Sequence, residues 1–78
     1  MKQVYADKYR QIGLKIAYYR KLRGLTQEGL AEQTGLTPAF IGHLEAPNIS
    51  KALSLDALFD IAAVLQVPPH KFLTFEDN

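Results

Sequence analysis

The 78-residue sequence predicts an all-α fold. Three observations carry that expectation. Apolar residues recur at steps of three and four, the spacing of one helix face. A threonine or serine stands where helices 2, 3 and 4 would begin. No stretch alternates apolar and polar residues as a half-buried strand does. The length fits a single domain, residues 1–78, whose core is marginal but feasible. Within it we expect a core over 12–73, an N-terminal extension of helix 1 over 1–11 and a loose tail over 74–78.

Taken in order, the first helix is expected from about Tyr5 to Leu22, because Tyr5, Tyr9, Ile12, Ile16 and Tyr19 draw one stripe. Gly24 is placed for the left-handed residue at its C-terminal end. Thr26 caps helix 2, Glu28 sits in its first turn where the helix dipole favours an anion, and Gly35 ends it. Leu30, Ala31 and Thr34 form its inner face. Gly29 is a poor helix former, by about 1 kcal/mol. Helix 3 starts with Thr37 as cap and Pro38 at the first helical position. Its apolar face is Phe40, Ile41 and Leu44, and Pro47 stops it near Glu45 or Ala46. A loop over 46–53 follows, with Asn48 at a left-handed position and Ile49 and Leu53 tucked toward the core. Ser54 caps helix 4, with Asp56 in its first turn. Leu55, Leu58, Phe59, Ile61, Ala62 and Leu65 give it a broad apolar face. Pro68–Pro69 starts a short fifth helical turn bearing Phe72 and Leu73.

Composition excludes several classes. With no cysteine there is no disulfide framework and no thiolate metal site, which fits a reducing cytoplasm. No apolar run approaches the ~20 residues that span a bilayer, and the N-terminus lacks a signal-peptide pattern. His43 and His70 are far apart with no metal-ligand spacing around either. Asp56 and Asp60 share a helix face that suits water. No phosphate loop or nucleophile signature occurs. We therefore expect no enzyme, no cofactor and no metal. Net charge is only +1, yet it is polarised. Seven of the nine basic residues precede Thr26, against Asp7 alone, and the remainder is acidic. Such a chain either presents one basic surface or simply solvates helix 1 with snorkelling side chains.

Helices 2 and 3, TQEGLAEQTGLTPAFIGHLE, are two short helices joined by a tight glycine turn. The best-attested use of such a pair is to set one helix into the DNA major groove. Arg20, Gly24–Leu25–Thr26–Gln27, Leu30–Ala31, Gly35–Leu36, Ile41, Leu44–Glu45 and Leu58 with Ile61–Ala62 stand together at spacings that resemble the lambda-repressor/Cro-like helix-turn-helix family, the XRE-type transcriptional regulators. The resemblance covers about residues 12–73. It implies five helices, with the helix-turn-helix at helices 2 and 3 and recognition by helix 3. It also implies a phosphate contact at Gln27 and an ion pair between Arg20 and Glu45. The competing reading sends Arg20 to DNA phosphate.

Base-reading candidates on the front of helix 3 are Thr37, Pro38, Ala39, Gly42 and His43. None is Gln, Asn or Arg, so bidentate recognition of adenine or guanine is missing. Thr26, Gln27, Asn48 and Lys51 are phosphate candidates; the loop residues serve equally as solvated polars. The sequence also departs from the family pattern at Pro47, where glycine is common. The function these features imply is sequence-specific binding of double-stranded DNA by a small cytoplasmic regulator, a repressor acting as a homodimer. Its dimer candidates are Val67, Pro69, Phe72, Leu73 and Phe75, with Tyr5 and Tyr9 as an alternative surface. The rival is a protein-interaction module of the same fold that binds another regulator or a toxin-like partner.

Overall fold

The structure, a computed structural model, describes residues 1–76, and every regular element among them is helical. A 3₁₀ turn, Gln3–Tyr5, leads into α1 (Ala6–Leu22). Then come α2 (Gln27–Thr34), α3 (Pro38–Glu45) and α4 (Leu55–Leu65), and a second 3₁₀ turn, Pro69–Phe72, closes the chain. Four α-helices are therefore present where five helices were expected. The last element stays 3₁₀ because it is only four residues long and opens on prolines that lack N–H donors. Its bonds run from Lys71 N–H to Pro68 O and from Leu73 N–H to His70 O.

The capping residues do what their chemistry suggests. Thr26 Oγ1 accepts from Gly29 N–H at 2.9 Å, Thr37 Oγ1 from Phe40 N–H at 3.1 Å and Ser54 Oγ from Ala57 N–H at 3.0 Å. Asp7 lies in the first turn of α1, and hydrogen bonds from Arg10 and Gln11 hold its carboxyl below the usual range. Gly24 and Gly35 take the left-handed conformation, at φ 72° and 75°. Asn48 does not; the non-glycine residue there is Gln66, φ 58°, which closes α4. Arg23 reaches across to the same place, its Nε donating to Leu65 O at 2.6 Å and its Nη2 to Gln66 O at 3.2 Å. Two carbonyls left open at the end of α4 are thus satisfied by a cation, the charge its dipole favours.

The helices close around Ile16, Leu30, Ile41, Ile61, Leu65 and Phe72, none of which retains exposed surface. α1 packs on α3, and α2 on both α3 and α4. The α1–α3 crossing depends on Gly13. A Cβ there would lie 1.6 Å from the backbone oxygen of Leu44, so only glycine allows this approach.

Several expectations change at the surface. Leu55 and Phe59 turn outward, since Leu58, Ile61 and Leu65 already fill the core side of α4. Ile49 is exposed, while Leu53 packs against the core. Val67 and Phe72 are buried in the monomer, with Phe72 edge-on to Tyr19 at 5.4 Å, so neither can line a dimer surface. Residues 74–76, part of the expected tail, make contacts with α1. Glu76 N–H donates to Gln11 Oε1 at 3.1 Å and Lys15 Nζ to Thr74 Oγ1 at 3.3 Å. Lys8 and Lys15 lie over the Phe75 ring, 4.8 and 5.2 Å from its centre. The rest of the expected tail, 77–78, falls outside the described residues. Among the described residues no helix is long and apolar enough to cross a membrane.

Candidate nucleic-acid interface

The site is built outward from a buried ion pair. Arg20 projects from the last turn of α1 and Glu45 from the end of α3, and both side chains are almost fully buried. The guanidinium grips the carboxylate with two parallel bonds, Nε to Oε2 at 2.7 Å and Nη2 to Oε1 at 2.8 Å. Its Nη1 donates to Leu25 O at 2.7 Å. This planar fork is what arginine offers and lysine does not. The hydrogen bonds to Glu45 push the guanidinium above its already high ordinary value. Three hydrogen bonds therefore hold Arg20 inside the fold, as the ion-pair reading expects.

Glu45 carries the order one step further. Gln27, the first residue of α2, donates from Nε2 to Glu45 Oε1 at 3.1 Å. One N–H of that amide is used; the second remains for an outside acceptor. Gln27 lies beside Gly42 of α3, where an added Cβ would sit 3.6 Å from Gln27 Oε1 in ordinary contact. A side chain at position 42 is thus not forbidden by the monomer.

Thr37, Pro38, Ala39 and His43 are exposed on the outer side of α3, and Gly42 is half-buried beside Gln27. The opposite side buries Ile41, Leu44 and Glu45. Four of the base-reading candidates therefore lie on α3 and Thr37 caps it, with Gln27 next to Gly42. Thr26 is exposed, but its hydroxyl oxygen is engaged as the α2 cap. Lys51 lies 5.9 Å from the centre of the Phe40 ring, which brings a loop cation back to α3. Asn48 is exposed.

Of the two readings of the charge pattern, a basic surface at α3 is not what the described residues form. Arg20 is buried and Arg23 is bound to the end of α4. Lys8, Arg10, Lys15 and Lys21 belong to α1. Sequence reasoning also missed Gly13 and Arg23. A glycine inside an otherwise well-formed helical stripe was the available signal for Gly13. For Arg23 no local signal exists, because its acceptors are carbonyls 42 and 43 residues away.

The arrangement is that of a helix-turn-helix: two short capped helices, a left-handed glycine between them, and an outward second helix pinned by a buried pair. The helix-turn-helix family model matches residues 16–72, and the chain belongs to that family. It is 38% identical over 63 residues to the uncharacterized HTH-type transcriptional regulator YazB of Bacillus subtilis (strain 168), covering 76% of this chain and 91% of YazB. It is 33% identical over 67 residues to the HTH-type transcriptional regulator SinR of Bacillus licheniformis, covering 86% of this chain and spanning 60% of that protein. Among solved structures it is similar to the master regulator for biofilm formation SinR in complex with DNA. There the TM-score is 0.75 at 33% identity, over 81% of this chain and 98% of that one. It also matches the SinR/SinI protein complex, TM-score 0.72 at 34% identity, over 80% of this chain and 59% of that one.

Proposed function

We propose that this protein is a sequence-specific, double-stranded-DNA-binding transcriptional regulator, non-enzymatic and cytoplasmic, that acts as a repressor. Recognition runs through α3, with Thr37, Pro38, Ala39, Gly42 and His43 toward the bases. Gln27 and Thr26 meet phosphate at the positive N-terminal end of α2, and Lys51 and Asn48 extend the phosphate contacts along the loop. The carrying observation is the Arg20–Glu45–Gln27 relay, which fixes the free Gln27 donor beside the exposed face of α3.

Two copies bind together in this reading. One helix with no bidentate base contact gives weak specificity, and a second on a pseudo-palindrome about 34–36 Å away supplies the rest. The dimer surface lies where the start of α1 and the segment Leu73–Phe75 come together. Tyr5, Tyr9, Leu55, Leu73 and Phe75 line a single groove of about 260 Å³. Two of the C-terminal candidates, Leu73 and Phe75, thus line the same groove as the tyrosine candidates, while Pro69 is exposed outside that lining.

Selection of duplexes from a random pool, followed by titration, tests this function. Gln27→Ala should weaken binding to selected and scrambled duplexes alike. His43→Ala should erode preference at one base pair, by about 1–3 kcal/mol. Affinity should fall steeply with salt through counterion release. Failure to enrich any sequence would favour the protein-interaction reading, whose supporting observation is the neutral outer face of α3.

A further inference from the structure

Two helix faces remain outside the reading above, and they are opposite in charge. On α1, Leu14, Tyr18 and Leu22 recur at four-residue steps on the side away from the core, and are 39%, 61% and 62% exposed. Residues four apart lie one above another, so the three form a continuous apolar row. Lys15 and Lys21 stand on either side of it. The other charged groups of this side are Lys8, Arg10 and Asp7, the last paired with Arg10, and Glu76 at its edge. The balance stays cationic. Beside Leu14 runs a groove of about 340 Å³ between α1 and the segment Thr74–Glu76.

On α4, Phe59 is 49% exposed, and exposed Ala63 continues its row one turn on. Asp56 and Asp60 are exposed along its edge, and α4 contains no basic residue. We propose that the α1 row of one copy of this chain docks on the α4 row of a second copy. Tyr18 and its neighbours would meet Phe59 and Ala63, and exposed Lys21 would face Asp56 and Asp60.

Charge decides among the possible occupants. Pairing α1 with α1 sets lysines against lysines, and pairing α4 with α4 sets aspartates against aspartates; each costs association. Of these three pairings, only the crossed one brings unlike charges together. A bilayer is a poor match, because the row is one residue wide and lies beside a concave groove. Unlike faces meet, so the contact passes from copy to copy unless two copies exchange it reciprocally. So few side chains place it in the small class of interfaces, under about 1,200 Å². It is weak in free solution and gains when copies are held side by side on one DNA molecule. That last consequence rests on the DNA-binding reading; the docking does not.

A charge-swap experiment tests the docking without DNA. Self-association of the intact chain is measured by sedimentation at low salt, for wild type, Lys21→Glu and Asp60→Lys, with circular dichroism to verify folding. Each variant alone should associate about five-fold more weakly than wild type, and an equimolar mixture of the two should recover much of the loss. The same pattern should persist in a Leu73→Asp background, which separates it from the terminal dimer patch. Unchanged association in both variants, or no recovery on mixing, overturns the proposal. So does a wild type that does not self-associate. Loss of binding to anionic phospholipid vesicles in Lys21→Glu, without self-association, would overturn it and assign the α1 face to a lipid surface.

Discussion

The α2–α3 unit and the outer face of α1 use their side chains in opposite ways. In the first, polar groups are engaged: Arg20, Glu45 and Gln27 form one hydrogen-bonded relay, and Thr26 and Thr37 cap their own helices. The exposed part of α3 is nearly neutral. On the outer face of α1, exposed Lys21 stands beside Leu14, Tyr18 and Leu22, all open to solvent. The charge that would attract DNA is thus on one surface, and the geometry that would read it is on another. A rigid, pre-satisfied surface suits a target of fixed shape. A mixed apolar and cationic surface suits docking.

The largest expected effect lies in the relay. Arg20→Ala should destabilise the fold by about 3–5 kcal/mol in denaturant titration, because a buried carboxylate is left without its cation. A double-mutant cycle with Glu45→Ala should return a large coupling energy; a value near zero would dissolve the contrast between the two regions. Next is Gly13→Ala, which thrusts a methyl onto the Leu44 backbone oxygen. The oxygen is backbone and cannot rotate away, so α1 and α3 must separate, at about 3 kcal/mol. Wild-type stability in this variant would show that the crossing is looser than drawn.

Gly42→Ala gives a smaller and sharper result. The monomer has room for the methyl, so helix propensity should raise stability by up to about 1 kcal/mol. DNA affinity should fall nevertheless if the duplex backbone approaches there. Greater stability with unchanged affinity would remove Gly42 from the interface. Last, Leu73→Asp should change stability by no more than about 0.5 kcal/mol, since Leu73 is exposed. Light scattering should show that it nonetheless prevents paired binding on DNA.

Much of the fold was legible in the sequence because it rests on local signals. Thr26, Thr37, Ser54 and Gly35 mark helix boundaries by interactions within a few residues, and each acts in the structure as its type suggests. What escaped was long-range. Gly13 looks like a weak point in a helix until α3 is laid across it. Phe72 reads as a surplus aromatic until Tyr19 and the core close around it. Asn48 and Gln66 show the same limit. Asparagine is the better left-handed residue, yet Gln66 takes that conformation because α4 must end where Arg23 caps its carbonyls. At the candidate site, the outward residues of α3 follow from the family resemblance, and four of the five are exposed. The link from Gln27 to Glu45 was hidden, since 18 residues separate them.

Backbone amide shifts of the ¹⁵N-labelled protein, titrated with a selected duplex, test the central claim most directly. If α3 reads DNA, the perturbed amides should cluster at Thr26–Glu28 and Thr37–His43, with Lys51 nearby. Leu14–Leu22 on the outer face of α1 should stay unmoved at low occupancy. Shifts concentrated along α1, with Thr37–His43 silent, would mean that the cationic face holds DNA and would contradict the account.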